Sequence, residues 1–201
     1  MPDIYTDVKT HYDKLIAEGN DPIHDSESLK LYMDKWDGPQ FIEDMQLSGN
    51  ETVLEIGVGT GRLAIKTCEK CRCFYGIDIS QKTIEAAKKN LPADSSIHLI
   101  CDDYLTWETS LVFDVIYSSL TFLHIKDKNQ AIDKTYSMLA EKGRFVLSIE
   151  KNQNSEIDYG TRKLRTYPDN ADTIERLLKE SGFSIIKQYS TEFADIFVSE
   201  K

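Results

Sequence analysis

The stretch that decides the fold runs from Val53 to Ile65 and reads VLEIGVGTGRLAI. Its first four residues have the character of a short buried strand, and its last residues begin a helical pattern. Between them, Gly57, Gly59 and Gly61 stand at alternate positions. Glycine adopts positive φ without steric cost and has no Cβ to keep a ligand away from the backbone. A strand, a glycine turn and a helix start in this order predict a cradle for a phosphate or a cofactor.

The rest of the chain continues the alternation of strand and helix. The last two strands are separated by too few residues for a crossover, so we expect them to pair antiparallel. The sequence therefore predicts an α/β fold: a Rossmann-like, seven-stranded, mostly parallel sheet with an antiparallel terminal hairpin and helices on both faces. Gly143 is expected to cap the third helix. The expected strands are 53–56, 74–79, 97–101, 113–117, 144–149, 183–189 and 193–198, and the expected helices are 61–70, 80–91, 126–139 and 170–180.

Two segments fall outside this alternation. Residues 1–50 show helical spacing without a strong strand, which predicts an N-terminal helical cap over the core. Residues 151–167 are polar and are expected to form the longest loop of the chain. Because a chain of 201 residues suits one domain, we expect a single domain over 1–201 whose core is 51–201. The helices expected in the cap are 5–18, 28–36 and 40–47.

Acidic and hydroxyl side chains follow the predicted strands at the edge where the glycine turn lies. Asp78 ends the second strand about 20 residues after the turn, where nucleotide-binding sheets carry the acid that takes ribose hydroxyls. Asp102 and Asp103 follow the third strand, and Ser118 follows the fourth. Since ligands of parallel sheets bind beyond the carboxyl ends of the strands, these residues predict one polar cleft.

The composition limits the classes of partner. The net charge is −10, and an acidic protein repels phosphate backbones, so we do not expect a nucleic acid as the main partner. No apolar run approaches the ~20 residues that span a bilayer, and no signal peptide is evident, so the expected location is cytoplasmic. The basic cluster at 162–165 is expected to be a solvated loop, with contact to an acidic small molecule as the alternative.

Cys68, Cys71 and Cys73 lie close together in the sequence and raise the question of a zinc site. Cys73 opens the second strand whereas Cys101 closes the third, which places them roughly 15 Å apart at ~3.3 Å per residue in a parallel sheet. No histidine lies nearby in the sequence to complete a tetrahedral set. We therefore expect no metal and four reduced thiols.

The glycine turn differs from that of a dinucleotide site. A dinucleotide site reads G-x-G-x-x-G, whereas residues 55–61 read E-x-G-x-G-x-G. With Asp78, Asp102 and the terminal hairpin, this spelling resembles the class I S-adenosylmethionine-dependent methyltransferases, and the resemblance runs from about residue 40 to the end of the chain. The sequence FDVIYSS at 113–119 and the pair Leu123-His124 are also similar to motifs of that family.

The resemblance implies S-adenosyl-L-methionine as the cofactor and S-adenosyl-L-homocysteine as its product. In that family Asp78 would bind the ribose, Ile79 would pack on the adenine and Asp102 would contact the adenine edge. Tyr12 resembles an N-terminal tyrosine that closes over the cofactor, and Ser118 would lie near its methionine end. The residues implied for the cofactor are Tyr12, Glu55, Gly57, Gly59, Gly61, Asp78, Ile79, Asp102, Asp103 and Ser118.

The sequence says less about the methyl acceptor than about the cofactor. Methyl transfer from a sulfonium is a displacement at an activated carbon, so positioning supplies most of the acceleration and a base is needed only for a protonated acceptor. His124 is the candidate base, and a histidine that merely packs or caps a helix is the alternative. Neither Asn/Asp-Pro-Pro-Tyr nor Pro-Cys follows the fourth strand, which favours a small-molecule acceptor over a nucleobase. The side chains expected to line its pocket are Tyr32, Trp36, Tyr159, Arg162 and Tyr167.

Two other functions fit the same residues. A non-catalytic or regulatory protein that binds S-adenosyl-L-methionine would carry the same motifs, because no residue is chemically obligatory for the transfer. An NAD-dependent oxidoreductase is disfavoured by the spelling of the turn and by the terminal hairpin. The sequence leaves the acceptor atom open, and it does not distinguish a monomer from a homodimer.

Overall fold

The computed structural model describes residues 5–201, which form two sheets with helices around the larger one. The strands are β1 (Tyr5–Thr6), β2 (Thr52–Ile56), β3 (Cys73–Asp78), β4 (Ile97–Cys101), β5 (Phe113–Ser119), β6 (Leu139–Glu150), β7 (Glu156–Asp158), β8 (Lys163–Arg165), β9 (Ser184–Ser190) and β10 (Ala194–Glu200). The α-helices are α1 (Val8–Ala17), α2 (Glu27–Asp37), α3 (Ala64–Thr67), α4 (Gln81–Asn90), α5 (Lys128–Met138) and α6 (Ala171–Glu180). Short 3-10 turns lie at Pro22–His24, Glu43–Met45, Cys68–Lys70 and Phe122–His124.

The large sheet has the strand order β4-β3-β2-β5-β6-β10-β9. The five strands from β4 to β6 run parallel, and β10 pairs antiparallel with both β6 and β9. This confirms the predicted seven-stranded, Rossmann-like sheet with an antiparallel terminal hairpin. The strand order reverses at β2, which has β3 on one side and β5 on the other, and ligands of such sheets bind at this point.

Helices cover both faces of the sheet because its strands alternate between two apolar cores. Val53 and Ile84 belong to the core under α3 and α4, while the neighbouring Leu54 belongs with Ile132 to the core under α5 and α6. Each of these four side chains is at most 1% exposed. Four helices begin at a side chain that accepts a backbone N–H three residues later, which satisfies a free helix-end donor. These caps are Asp7, Ser80, Asp127 and Asn170.

Several predicted helix boundaries were wrong. Gly143 does not cap α5, which ends at Met138; Gly143 lies inside β6, where a Cβ would stand 2.8 Å from the Ala140 carbonyl oxygen. The helix predicted at 61–70 is α-helical only at Ala64–Thr67, because the glycine turn continues through Gly61 at φ 99°. The helix predicted at 40–47 is reduced to the 3-10 turn at 43–45.

The predicted loop at 151–167 is also wrong in part, because it contains β7 and β8. These strands pair antiparallel, and β8 pairs parallel with β1 at the start of the described chain. We call residues 156–165 the strap. Its pairing with Tyr5 and Thr6 means that the cap, predicted to lack a strong strand, begins with a short one.

Helix α1 packs on α4, and we call it the roof helix. Asp13 of the roof helix accepts hydrogen bonds from Ser80 Oγ at 2.8 Å and from the Lys82 amide at 3.2 Å, where α4 begins. At the end of α4, the Asn90 amide donates to Asp21 at 2.9 Å. The roof helix is therefore fixed to the start of α4, and the turn that follows it is fixed to the end of α4.

Candidate functional site

A cavity of about 480 Å³ lies at the carboxyl ends of the central parallel strands. Its floor is the glycine turn, and the roof helix closes it with Leu15 and Ile16. Met33 of α2 reaches it from the cap. The cavity therefore lies where the strand order reverses, and its walls come from both the core and the cap.

The glycine turn presents bare backbone to this cavity. Gly57 and Gly59 have φ values of 76° and 56°, which L side chains rarely adopt. The Gly59 amide donates to Asp78 Oδ2 at 3.0 Å, and this bond links the turn to the end of β3. A Cβ built on Gly59 would meet no protein atom within 4 Å. The turn is thus rigid on its protein side and open on its cavity side.

Asp78 is the acidic residue at the rim of the turn. Its Oδ1 accepts the Ser80 amide at 2.9 Å while its Oδ2 accepts the Gly59 amide. Burial raises the pKa of the Asp78 carboxyl, although the two amides oppose that shift. Because backbone donors hold both oxygens, the carboxylate has one orientation, which suits a site that recognises a pair of hydroxyls.

Glu55 lies beneath the turn and is 3% exposed. The Tyr117 hydroxyl donates to Glu55 Oε2 at 2.7 Å, and Thr67 Oγ1 lies 2.9 Å from the Tyr117 oxygen. Burial raises the pKa of Glu55 to about 8, with the Arg62 guanidinium acting in the opposite direction. The Glu55 carboxyl group is therefore protonated at neutral pH in this structure.

A buried acid joins the cap to the end of β5. Asp37, at the end of α2, is 2% exposed; it accepts a hydrogen bond from Ser119 Oγ and lies 2.5 Å from Arg62 Nη2. The residue that follows β5, Leu120, lines the cavity with a φ of 56°, an uncommon conformation for a bulky residue. Our sequence reasoning missed this cluster, and Arg62 beside the glycine turn was the signal for it.

Tyr12 and His124 meet on opposite walls of the cavity. The Tyr12 hydroxyl lies 2.8 Å from His124 Nε2. Burial lowers the pKa of His124 to about 4, and Lys128 adds a repulsive positive charge. Within the described residues, His124 Nδ1 has no hydrogen-bond partner. The imidazole is therefore neutral at physiological pH and is held by the roof helix.

Most of the residues predicted for the cofactor line the cavity, and two do not. Gly61 faces Leu91 beneath the turn, at 3.2 Å from a Cβ built on it. Ser118 is fully buried, and its Oγ donates to the Ile56 carbonyl oxygen at 3.0 Å inside the sheet. Those that line the cavity are Tyr12, Glu55, Gly57, Gly59, Asp78, Ile79, Asp102 and Asp103, together with the candidate base His124.

The side chains predicted for the acceptor make other contacts in this structure. Tyr32 and Trp36 pack on Phe193, with Trp36 and Phe193 centroids 4.6 Å apart, as part of the contact between α2 and the terminal hairpin. Tyr159 packs on the roof helix, with its ring centroid 4.4 Å from that of His11. Arg162 also contacts this helix, through a hydrogen bond to His11. Tyr167 donates its amide to the Leu123 carbonyl oxygen at 2.7 Å. None of these side chains lines the cavity.

The comparisons with known proteins agree with this site. Residues 53–143 match the sequence profile of a family described as "Methyltransferase domain". This part of the chain is therefore similar to a methyltransferase domain. An uncharacterized methyltransferase of Bacillus cereus is 40% identical over 104 residues, which are 51% of this chain and 48% of that protein. The chain therefore spans about half the length of the curated relatives that it matches.

Solved methyltransferase structures share the fold over almost the whole chain. The N-methyltransferase NodS from Bradyrhizobium japonicum WM9, in complex with S-adenosyl-L-homocysteine, gives a TM-score of 0.75 at 20% identity and covers 98% of this chain and 99% of its own. Magnesium protoporphyrin IX methyltransferase (ChlM) from Synechocystis PCC 6803, with bound S-adenosyl-L-methionine, gives a TM-score of 0.75 at 16% identity and covers 99% of both chains. At these identities the likeness shows the fold of a class I methyltransferase.

The cysteines lie as the predicted topology requires. Cys101 pairs with Asp78 at the carboxyl ends of β4 and β3, whereas Cys73 lies at the opposite end of β3. All four cysteines are free thiols. Across residues 5–201, no group of three or more His, Cys, Asp and Glu side chains is arranged to hold a metal ion. The helices of the same range are all too short or too polar to cross a membrane.

Proposed function

We propose that this protein transfers a methyl group from S-adenosyl-L-methionine to a small-molecule acceptor. The observation that carries the proposal is the open side of the glycine turn, where bare backbone at Gly59 faces the cavity beside the oriented Asp78 carboxylate. The family of residues 53–143 supports the same cofactor. When bound, S-adenosyl-L-methionine supplies a methyl carbon that its sulfonium has already activated for displacement.

The residues around the cavity suit that cofactor. Gly57 and Gly59 would admit its amino-acid end close to the backbone, and Asp78 would accept hydrogen bonds from the ribose hydroxyls. Ile79 and Asp102 line the cavity next along this edge, where the adenine would lie. The acidic side chains at the carboxyl ends of β3 and β4 also favour a cationic ligand over a phosphate-bearing one.

The Tyr12–His124 pair marks the acceptor side of the cavity in this proposal. With a pKa lowered to about 4, His124 is too weak a base to remove a proton efficiently from a hydroxyl group or an ammonium ion. We therefore infer that His124 orients the acceptor by a hydrogen bond. Acceptors that are nucleophilic without a strong base, such as an uncharged amine, a thiolate or a carboxylate, fit this role.

Binding calorimetry tests the cofactor part of the proposal. We expect S-adenosyl-L-homocysteine to bind and NAD to give no heat. Asp78→Asn should weaken S-adenosyl-L-homocysteine by at least about tenfold, which corresponds to the loss of one charged hydrogen-bond acceptor. Asp172→Asn, at the start of the distant helix α6, should leave the affinity unchanged. Binding of NAD without binding of S-adenosyl-L-homocysteine would overturn the proposal.

Turnover tests the acceptor part. Methyl-labelled S-adenosyl-L-methionine is incubated with a panel of amines, thiols, carboxylates and phenols, and label transfer is measured between about pH 5.5 and 8.5. If His124 only orients the acceptor, kcat should show no His124-dependent limb near pH ~6.5, the ordinary histidine value, and His124→Gln should retain the shape of the wild-type profile. A limb in that region that disappears in His124→Gln would identify a general base instead. Binding of the cofactor without transfer to any class of acceptor would favour a non-catalytic binding protein.

A further inference from the structure

Arg162 packs against the roof helix and does not line the cavity. It follows β7 and directly precedes β8, within the strap. Its Nη1 and Nη2 donate to the two carboxylate oxygens of Glu18 at 2.7 and 2.8 Å, and its Nε donates to His11 Nδ1 at 3.0 Å. The guanidinium also lies 5.5 Å from the centroid of the Tyr159 ring. A bidentate pair with a third hydrogen bond fixes both the position and the plane of an arginine.

The burial of this cluster shows that the contact is part of the fold. The Arg162 side chain is 6% exposed, and His11 is fully buried. Removing one partner from a buried charged group is costly because the other partner is left without a counter-charge. Because Arg162 donates to His11 Nδ1, the imidazole must be neutral and must carry its proton on Nε2.

The three consecutive residues at the middle of the roof helix point in three directions. Successive residues of an α-helix are rotated by about 100°. Accordingly, His11 faces Arg162 of the strap, Tyr12 faces His124 across the cavity, and Asp13 faces Ser80 at the start of α4. A rotation or shift of the helix that breaks the first contact therefore also moves the Tyr12 hydroxyl.

We infer that Arg162 is a positioning residue that acts through the roof helix to hold Tyr12 against His124, over the candidate cofactor site. The inference rests on the proposed function for its effect on ligand binding, whereas its effect on the roof helix does not depend on any ligand. It also revises the role expected for Arg162 from the sequence, which was contact with the acceptor.

Hydrogen exchange in the ligand-free protein tests the structural part. Arg162→Gln should increase the exchange rate of amides in the roof helix at least about tenfold, because the helix opens locally more often when its contact with Arg162 is lost. The amides of β5 and β6 should be unchanged. Arg165→Gln is the matched control, because Arg165 lies in the same strap but packs over Tyr5 without contacting the roof helix. Equal exchange of the roof helix in wild type and Arg162→Gln would overturn the inference.

A double-mutant cycle tests whether Arg162 acts through Tyr12. The dissociation constant of S-adenosyl-L-homocysteine is measured for wild type, Tyr12→Phe, Arg162→Gln and the double variant. We expect each single change to weaken binding about tenfold and the double change to be no more than about twofold weaker than either, because both remove the same contact. If the losses of affinity in the two single variants multiply in the double variant, Arg162 does not act through Tyr12.

Two further variants keep the outcomes separate. Arg162→Lys retains the charge without the bidentate geometry. Its exchange rates and its affinity for S-adenosyl-L-homocysteine should lie between those of wild type and Arg162→Gln. If Arg162→Gln does not fold, Glu18→Gln replaces it in both measurements with smaller effects expected, since Gln keeps one oxygen acceptor for Arg162 and the Glu18 side chain is 52% exposed. If wild type fails to bind S-adenosyl-L-homocysteine, the proposed function fails, and the exchange experiment still decides the role of Arg162 in the roof helix.

Discussion

Glu55 is a carboxylic acid that the folded protein keeps protonated at neutral pH. Burial raises its pKa to about 8 from an ordinary value of 4.5. Between these two values the folded chain binds a proton that the unfolded chain has lost. Folding is therefore linked to proton uptake by Glu55, and this group makes the protein less stable as the pH rises from 4.5 towards 8.

Glu55→Gln should remove that dependence on pH. The amide resembles the protonated acid but does not ionise, so the variant should gain about 3 kcal/mol relative to wild type between about pH 5.5 and 8.5. Urea denaturation at three pH values across this range measures the change in the free energy of unfolding. Glu69→Gln, an exposed change of the same chemistry, should show no such trend. A difference between Glu55→Gln and wild type that is constant with pH would contradict the prediction.

Gly57 allows a second prediction, because Gly160 provides a control with the same backbone angle. Both glycines have a φ of 76°. A Cβ on Gly57 would stand 1.9 Å from Thr121 Oγ1, whereas one on Gly160 would meet no atom within 4 Å. Gly160→Ala should lower the free energy of unfolding by only about 1 kcal/mol, the cost of a side chain in the left-handed region. Gly57→Ala should cost about 2 kcal/mol more because of overpacking, as measured by urea denaturation; equal costs would show that Thr121 gives way freely.

At the scale of elements, Asp13 joins the roof helix to the start of α4. Its carboxylate accepts the Ser80 hydroxyl and the Lys82 amide, and it lies at the positive end of that helix. Asp13→Asn should therefore lower the free energy of unfolding by about 1 kcal/mol. Lys9→Gln removes only the exposed pair with Asp13 and should cost less than about 0.5 kcal/mol. Equal losses in the two variants would assign the effect to the surface ion pair.

The elements of the core could be predicted from the sequence because their signals are local. Each signal lies within a few residues of the element that it specifies. These signals are the apolar runs of β2 and β5, the glycine turn, and the helix cap at Ser80. The same holds for the terminal hairpin, whose short connection excludes a crossover. The carboxyl ends of the strands then brought Asp78 and Asp102 to the rim of one cavity, as the topology required.

The strap could not be predicted because its signals are distant. Its strands are three residues long and carry charged side chains, and β8 pairs with Tyr5 and Thr6, far away in the sequence. For the same reason, the sequence does not show whether the aromatic residues of the cap face the cavity or the terminal hairpin. Trp36 and Tyr32 pack on an apolar partner, Phe193. The residues of the cap that reach the cavity include Leu15, Ile16 and Met33, which the sequence reasoning did not single out for it.

At the scale of the molecule, a buried ion pair joins the chain after the strap to the core. Lys128 at the start of α5 lies 2.9 Å from Asp169, and these side chains are 12% and 1% exposed. Lys128 Nζ also donates to the Tyr167 carbonyl oxygen at 3.0 Å. The pair thus fixes the segment between the strap and α6 to the start of α5.

Asp169→Asn should destabilise the whole protein by about 3 kcal/mol, because it leaves the Lys128 ammonium buried without a counter-charge. Urea denaturation followed by circular dichroism measures this loss. Arg176→Gln breaks an exposed pair with Glu180 on α6 and should cost less than about 0.5 kcal/mol. A loss of similar size in both variants would show that water reaches Lys128.

The contact between the strap and the roof helix also sets an order of events during synthesis. Arg162 follows His11 by 151 residues, and at roughly 5–20 residues per second the ribosome needs on the order of 10 s to make that length. Throughout this interval the roof helix can make its contacts with α4 and His124 but lacks the one with the strap. The parallel strands and the glycine turn are also made earlier. A chain stalled before Arg162 would therefore have its roof helix over the cavity but held on two sides instead of three.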